Sequence, residues 1–235
     1  MPERPYTVLS CAISLDGYLD DASVKRLLLS SPSDLDRVDE VRAGSDAILV
    51  GAATVRNDNP RLVVRDPQRV AERVRRGRPA MPAKVTLTEH LKLDPDSAFF
   101  THGTGDKLVY CPASRMEEAQ DRFGGLATVV DGGEPIGMRR VCEDLHARGV
   151  RRLLVEGGGT VLTQFLTEGL ADEHRREDEV ELVGDSRARR WVDDGDYPWG
   201  AGSRAPLLEM RRLDDVVLLR YGLNDQAASS HRLGG

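Results

Sequence analysis

Residues 151–160 have the sequence RRLLVEGGGT, and this stretch decides the interpretation of the fold. The apolar residues up to Val155 predict a short buried strand, and Glu156 and three glycines follow it. A helix is predicted over residues 160–168, and Gly169 ends it as a stop signal. A strand that enters a helix through a glycine turn is typical of α/β proteins, so the flanking sequence should contain more such units.

The flanking sequence alternates between predicted strands and helices. Strands are predicted over residues 6–13, 46–50, 84–88, 107–111, 127–130 and 151–155, and helices over residues 33–43, 114–123, 137–148 and 160–168. Residues 66–83 are rich in Pro and Arg and predict a surface excursion. Two strands over residues 207–211 and 216–221 predict an antiparallel C-terminal hairpin. The pattern predicts an α/β fold with three layers, α/β/α, around a mixed and mostly parallel central sheet.

Length and composition limit the classes of protein to which the chain can belong. It has 235 residues, a formal net charge of −6, 40% hydrophobic residues and 31% charged residues. These values predict one domain over residues 1–223, followed by a disordered polar tail over residues 224–235. A nucleic-acid partner is not expected, because phosphate backbones bind basic surfaces. No signal peptide and no apolar run of roughly 18 residues is found, so we expect no membrane association and a cytoplasmic location.

The cysteines and histidines show no pattern typical of a disulfide framework or a metal site. Cys11, Cys111 and Cys142 are far apart in sequence and lack CxxC spacing. The five histidines also lack the spacing of metal ligands. The sequence therefore predicts no bound metal.

The glycine stretch after Val155 is the first candidate binding site. Glycines allow backbone N–H groups to approach a ligand, and a helix N-terminus carries positive partial charge, so the pair suits an anionic phosphate. A tight turn between strand and helix would use the same residues. Glu156 is less easily explained by a turn, because a carboxylate at the end of an apolar strand requires a partner. A ligand hydroxyl or amine would be such a partner.

Two further motifs follow predicted strands. In residues 51–65, GAATVRNDNPRLVVR, a hydroxyl group, an acid and two bases lie near the end of a strand, in Thr54, Asp58, Arg61 and Arg65. A capped turn with surface arginines is the alternative interpretation. In residues 13–21, Ser14 and Asp16 follow the first strand, although an Asp-Gly pair is usually only a turn. In open α/β sheets, ligands bind at the carboxyl ends of strands, which favours a functional role for all three motifs.

Taken together, SLDG at 14–17, RAGSDAILVGAATVRNDNPRL at 42–62 and VEGGGT at 155–160 resemble the reductase domain of the riboflavin-biosynthesis deaminase–reductase family. The resemblance spans roughly residues 6–222 and implies a fold similar to that of dihydrofolate reductase. It implies that NADPH, or alternatively NADH, reduces the ribosyl group of an aminopyrimidine ribosyl phosphate to a ribityl group. Hydride would pass from the nicotinamide to the sugar C1′.

The resemblance also implies roles for individual residues. Catalytic roles are implied for Glu156 and Asp58. Cofactor contacts are implied for Thr54, Asp58, Thr88, Gly157, Gly158, Gly159, Thr160 and Val161. Substrate contacts are implied for Ser23, Arg42, Arg61, Arg65 and Glu156, with Arg42 and Arg65 holding the substrate phosphate.

The chain departs from the family pattern in three places. It lacks the H-x-E and P-C-x-x-C motifs of the zinc deaminase domain, so deaminase chemistry is not expected. Ser10 stands where two-domain members often have a lysine on the first strand. Residues 173–179, EHRREDE, are polar where the family has an apolar strand. That strand is therefore expected to shift toward residues 180–183, to be exposed, or to lower the stability, and the expected homodimer is affected too.

Several functions are compatible with these motifs. A reductase acting on the riboflavin-pathway substrate is the first choice, followed by a related reductase of another pterin, pyrimidine or xenobiotic substrate. A non-catalytic nucleotide- or flavin-binding protein on the same fold is a further alternative. Phosphoryl transfer is disfavoured because no Walker lysine follows the glycines.

Overall fold

The structure is a computed structural model that describes residues 3–21, 32–224 and 227. Its strands are β1 Tyr6–Ile13, β2 Ala47–Gly51, β3 Ala83–Leu87, β4 Lys107–Cys111, β5 Thr128–Asp131, β6 Arg152–Val155, β7 Glu173–Asp178, β8 Leu207–Leu213 and β9 Val216–Gly222. Its helices are α1 Pro32–Ala43, α2 Ala52–Asp58, α3 Pro67–Arg75, α4 Ala98–Thr101, α5 Met116–Phe123, α6 Met138–Ala147 and α7 Gly159–Thr167. The chain divides into two compact units. Unit 1 comprises Met1–Pro5 and Arg37–Leu154, and unit 2 comprises Tyr6–Asp36 and Val155–Gly235.

Unit 1 is built on strands in the order β5-β4-β3-β2-β6. The pairs β2–β3, β3–β4 and β4–β5 are all parallel. Strands covered by helices on both faces are apolar throughout, and all five residues of β2, AILVG, are buried. The aromatic part of the core lies beside the sheet, where the ring of Phe100 stacks on that of Phe123 at a centroid distance of 5.6 Å.

Unit 2 contains strands in the order β1-β7-β9-β8. Strand β7 is parallel to β1 and antiparallel to β9, and β8 and β9 form the predicted antiparallel hairpin. The mixed, mostly parallel α/β architecture with a C-terminal hairpin is therefore confirmed. The prediction of a single domain over residues 1–223 stays a prediction. So does the disordered tail, since residues 225, 226 and 228–235 lie outside the described residues.

Strand β7 corrects the prediction for the polar run. The strand occupies Glu173–Asp178 and is neither shifted toward residues 180–183 nor exposed. Glu173, His174 and Glu177 are 2%, 5% and 1% exposed. Glu173 and His174 tolerate this burial because each has a partner from outside the strand. Arg220 of β9 donates to Glu173, and the indole ring of Trp191 stacks on His174 with ring centroids 4.8 Å apart. The lower stability expected for this run stays a prediction.

Residues 66–83 lie mostly at the surface, as predicted, but their first half forms helix α3, which the prediction did not include. The side chain of Asp66 accepts a hydrogen bond of 2.7 Å from the backbone N–H of Gln68, and Pro67 occupies the first helical turn. Both are ordinary helix-start signals. Arg73 is only 3% exposed, and its guanidinium donates to three backbone carbonyl groups, which explains how an arginine-rich helix packs on the unit.

Candidate functional site

In unit 1, helix α2 begins directly after buried strand β2. Thr54 and Asp58 are half-buried on this helix and are four residues apart, so they share one helix face. Thr88 follows β3 directly, is 2% exposed, and donates its backbone N–H to the carbonyl of Tyr110. Because Gly51 pairs with Leu87 in the parallel register, the ends of β2 and β3 are level. The structure therefore places the start of α2 and Thr88 at the same edge of the sheet.

The chain beyond α2 is held in a fixed conformation by buried and hydrogen-bonded residues. Asn59 ends the helix with φ 44°, and its side-chain oxygen accepts a hydrogen bond of 2.7 Å from the N–H of Ala98. Leu62, with φ 49°, is fully buried, and Val64 is 2% exposed. Arg61 lies between these anchors on the exposed side. The predicted substrate-binding segment is thus a rigid loop that presents its polar residues outward.

Arg42 and Arg65 both make contacts between helix α1 and this loop. The Nη1 of Arg42 donates to the carbonyl of Val63 at 3.4 Å. The Nε of Arg65 is 3.5 Å from Oδ1 of Asp39, a carboxylate on α1 that is 2% exposed. Burial by itself raises the pKa of Asp39, but hydrogen bonds from the Arg65 and Asp66 backbone and from the side chain of Arg69 lower it below its usual value.

The predicted glycine loop follows β6 and leads into helix α7 of unit 2. Glu156 is half-buried directly after the strand. Gly157 has φ 107°, and its peptide bond to Gly158 is cis. Gly158 occupies the N-cap position of α7 and carries no side chain that could cap the helix. The N–H groups in the first turn of a helix have no acceptor within the helix, so this end suits an anion.

A segment that the sequence did not indicate lies against the glycine loop. A Cβ atom on Gly159 would be 2.6 Å from the carbonyl oxygen of Arg190, so this position requires glycine. The hydroxyl of Thr160 donates to Asp193 at 3.2 Å, and the N–H of Asp193 donates to the hydroxyl of Thr163 at 2.8 Å. No sequence motif marks residues 190–193, because their position depends on contacts with distant parts of the chain.

The carboxylate of Asp16 takes part in a network of hydrogen bonds with Ser14 and with the chain after β7. It accepts hydrogen bonds from the hydroxyl of Ser14 at 2.7 Å and from the backbone N–H groups of Val183 and Gly184 at 3.0 and 2.7 Å. These bonds lower the pKa of Asp16 to about 2, with the Ser14 bond as the largest cause. The carboxylate holds the chain after β7 in place, and the N–H of Gly17 donates to the carbonyl of Ser14 in the local turn that an Asp-Gly pair favours.

The predicted site residues form two groups, one in each unit. Thr54, Asp58, Thr88 and the arginines belong to unit 1, whereas Glu156 and the glycine loop up to Val161 belong to unit 2. Ser23 lies outside the described residues. That the two groups form one crevice stays a prediction.

The structure also bears on metal and membrane binding. Within residues 3–21 and 32–224, no three His, Cys, Asp or Glu side chains are arranged to hold a metal ion. Over the same part of the chain, no helix has the length and hydropathy that crossing a bilayer requires. The three cysteines are buried thiols that form no disulfide.

Comparison with known proteins gives consistent matches along the chain. The family model described as the RibD C-terminal domain matches residues 5–219. The 2,5-diamino-6-ribosylamino-4(3H)-pyrimidinone 5′-phosphate reductase of Archaeoglobus fulgidus is 38% identical over 173 residues, which cover 73% of this chain and 78% of that protein. The reductase of the same name from Methanothermobacter thermautotrophicus is 34% identical over 196 residues, 81% of this chain and 84% of the other. A solved pyrimidine reductase-like protein from Corynebacterium diphtheriae has the same fold, with a TM-score of 0.78, 22% identity, and coverage of 93% and 91%.

Proposed function

Because the chain belongs to the RibD C-terminal domain family, we propose that it is an NADPH-dependent reductase of riboflavin biosynthesis. Its substrate would be an aminopyrimidine ribosyl phosphate, whose ribosyl group it reduces to a ribityl group. One observation carries this proposal: at 38% identity, the chain aligns with most of a reductase that is named for such a substrate. The motifs around Thr54, Asp58 and Glu156 lie within the region that the family model covers.

The glycine loop fits an anionic dinucleotide. Beyond its chain neighbours, no atom of the described residues lies within 4 Å of the place that a Cβ of Gly157 would take. That open space lies beside the uncapped N-terminus of α7, where backbone N–H groups and the helix dipole favour a phosphate. We assign Gly157, Gly158, Gly159, Thr160 and Val161 to the cofactor phosphates. Thr54, Asp58 and Thr88 would contact the rest of the cofactor.

The bound nicotinamide would supply the hydride that reduces C1′ of the sugar. Opening the sugar ring leaves an oxygen that must gain a proton, so a carboxyl group within hydrogen-bond reach would act as the acid. Glu156 and Asp58 are the two candidates among the predicted site residues. Glu156 would also accept a hydrogen bond from a substrate hydroxyl or amine.

The arginines would bind the substrate phosphate. Arg42 and Arg65 lie near the same loop, and Arg61 is exposed on it. Guanidinium groups form paired, charge-assisted hydrogen bonds with phosphate oxygens, which fixes the position as well as the affinity of the substrate. Ser23 is included in this group as an expectation from the family pattern.

The proposal extends to the cell location and the assembly. A biosynthetic reductase of this family would act in the cytoplasm, on a small phosphorylated substrate. We also propose a homodimer. Leu207 and Met210 support it, because these apolar side chains are 52% and 71% exposed on β8, the last strand in the order of unit 2.

The test is a titration of the purified protein with NADPH and, in parallel, with NADH, followed by nicotinamide fluorescence. The aminopyrimidine ribosyl phosphate is then added, and oxidation of the nicotinamide and formation of the ribityl product are measured. We expect binding of NADPH and substrate-dependent oxidation. Binding without oxidation would favour a non-catalytic nucleotide-binding protein, and oxidation only with a dihydropterin would favour the alternative substrate class.

Two substitutions test the assigned residues in the same assay. Asp58→Ala should weaken cofactor binding, and Glu156→Ala should lower kcat by about 100-fold or more if Glu156 is the acid. Glu168→Ala is a matched control, because Glu168 is an exposed carboxylate at the other end of α7. Unchanged turnover in Glu156→Ala would remove Glu156 from the mechanism.

A further inference from the structure

We propose that Asp39 is a positioning residue that orients the guanidinium of Arg65 toward the substrate phosphate. This inference rests on the proposed function, which assigns Arg65 to that phosphate. The sequence pattern gave no role to Asp39. Its position on helix α1, three residues before Arg42, places it beside the loop that carries Arg65.

Both oxygens of Asp39 are engaged by that loop and the start of α3. Oδ1 accepts the backbone N–H of Arg65 at 2.5 Å and lies 3.5 Å from the Nε of the same residue. Oδ2 accepts the backbone N–H of Asp66 at 3.1 Å and the Nη1 of Arg69 at 3.1 Å. One carboxylate thus fixes the backbone and the side-chain direction of Arg65 together.

Exposure separates the roles of the two residues. The side chain of Asp39 is 2% exposed, whereas that of Arg65 is 50% exposed. A dianionic phosphate would be repelled by a carboxylate in direct contact, so a buried Asp39 can act only through its neighbours. Arg65 is accessible to a ligand, and its Nε edge faces Asp39. Holding that edge leaves fewer side-chain conformations to be lost when the phosphate binds.

The charge balance also suits an anionic ligand. Asp39 contacts two guanidinium groups, those of Arg65 and Arg69, and therefore neutralises only part of their charge. Its hydrogen bonds keep the carboxylate ionised at neutral pH. On the same helix, Arg42 donates to the carbonyl of Val63, so α1 holds the loop on both sides of Val64. The carboxylate of Asp66 is 3.9 Å from the Nε of Arg69, so Asp39 and Asp66 together balance Arg65 and Arg69, and Arg42 leaves one positive charge beside the loop.

The test compares Asp39→Asn with the wild-type enzyme in the NADPH oxidation assay. We expect KM for the phosphorylated substrate to rise about tenfold, with little change in kcat or in KM for NADPH. With the dephosphorylated nucleoside as substrate, the variant and the wild type should have the same KM. If Asp39 had only a structural role, the substitution would change KM for both substrates by the same factor. An unchanged KM for the phosphorylated substrate would overturn the inference.

Three further variants separate the possible failures. Asp66→Asn is the matched control, because Asp66 is the next carboxylate to Arg65 but caps α3 through Gln68, and its KM should not change. In Arg65→Ala, KM for the phosphorylated substrate should rise, and adding Asp39→Asn should raise it no further. No effect of Arg65→Ala would refute the phosphate role itself, whereas additive effects would refute only the positioning role. If Asp39→Asn does not fold, Arg65→Lys tests the same contact, and an unchanged KM there would also overturn it.

Discussion

Replacing Arg220 by methionine should reveal how a strand of charged residues is stabilised inside unit 2. The side chain of Glu173 is 3% exposed, and its Oε1 accepts hydrogen bonds from the Nε of Arg220 at 2.8 Å and from the Nε of Arg175 at 2.6 Å. Its Oε2 accepts the hydroxyl of Tyr6 at 3.2 Å. Methionine keeps much of the apolar stem of the arginine and removes the charge.

The structure sets the expected magnitude. Burial raises the pKa of Glu173, but the bonds and charges of Arg220 and Arg175 more than offset this and lower the pKa from 4.5 to about 2. A difference of that size corresponds to about 3 kcal/mol in favour of the ionised carboxylate. Removing one partner of a buried pair costs about 3–5 kcal/mol. Because Arg175 remains, we expect Arg220→Met to lower the free energy of unfolding by about 3 kcal/mol.

The measurement is urea unfolding at pH 7, followed by circular dichroism, with an unchanged m-value as the check on two-state behaviour. Arg212→Met is the matched control, since Arg212 is 79% exposed beside Asp215 and should change stability by less than about 0.5 kcal/mol. Glu173→Gln in the Arg220→Met background should recover part of the loss. A cost below about 1 kcal/mol for Arg220→Met would refute the reasoning, since the buried carboxylate would then not depend on its partner.

The pH dependence gives a second measurement of the same pair. The stability that ionised Glu173 provides is fully present above pH 4.5 and is lost as the pH falls toward 2. The reason is that Glu173 is protonated at a lower pH in the folded state than in the unfolded state. In Arg220→Met the pKa in the folded state rises, so this loss should become smaller. An identical acid profile in both proteins would contradict the assignment.

Three further predictions concern other groups. Burial, with the charge of Arg176, lowers the pKa of His174 from 6.5 to about 3. The free energy of unfolding of the wild type should therefore fall by about 2 kcal/mol from pH 7 to pH 5 through this group. In urea unfolding over the same pH range, His174→Gln should show a smaller fall. Burial likewise lowers the pKa of Lys84 from 10.5 to about 8, so the folded state releases this proton at a lower pH than the unfolded state. The free energy of unfolding should therefore rise by about 2 kcal/mol from pH 7 to pH 9.5 through this group. A rise of equal size in Lys84→Met would contradict this assignment. Gly159→Ala should weaken NADPH binding in a fluorescence titration, because the new Cβ would lie 2.6 Å from a carbonyl oxygen. Gly125→Ala is the control, because its Cβ would meet open space. An NADPH affinity of Gly159→Ala equal to that of the wild type would show that the loop tolerates a side chain.

The apolar strands were predictable because a strand that is buried on both faces consists of consecutive apolar residues. The predicted strand over residues 6–13 matches β1, and those over residues 46–50 and 107–111 match β2 and β4 to within a residue. Buried parallel strands are continuous apolar runs, so their pattern needs no partner to be recognised. Helix α3 was equally accessible from the sequence, since Asp66 and Pro67 are local start signals.

The sequence by itself determined the α/β class, the hairpin at the C-terminal end, the family and the identity of the candidate residues, because each is recorded in neighbouring residues or short motifs. Only the tertiary structure decided that Glu173–Asp178 is a buried strand, that Arg190–Asp193 contact the glycine loop, and that Asp39 holds Arg65. Arg220, which binds Glu173, and Arg190, which contacts Gly159, are tens of residues away from them along the chain. A charge is buried or exposed according to what packs against it, and that information exists only once distant segments have come together.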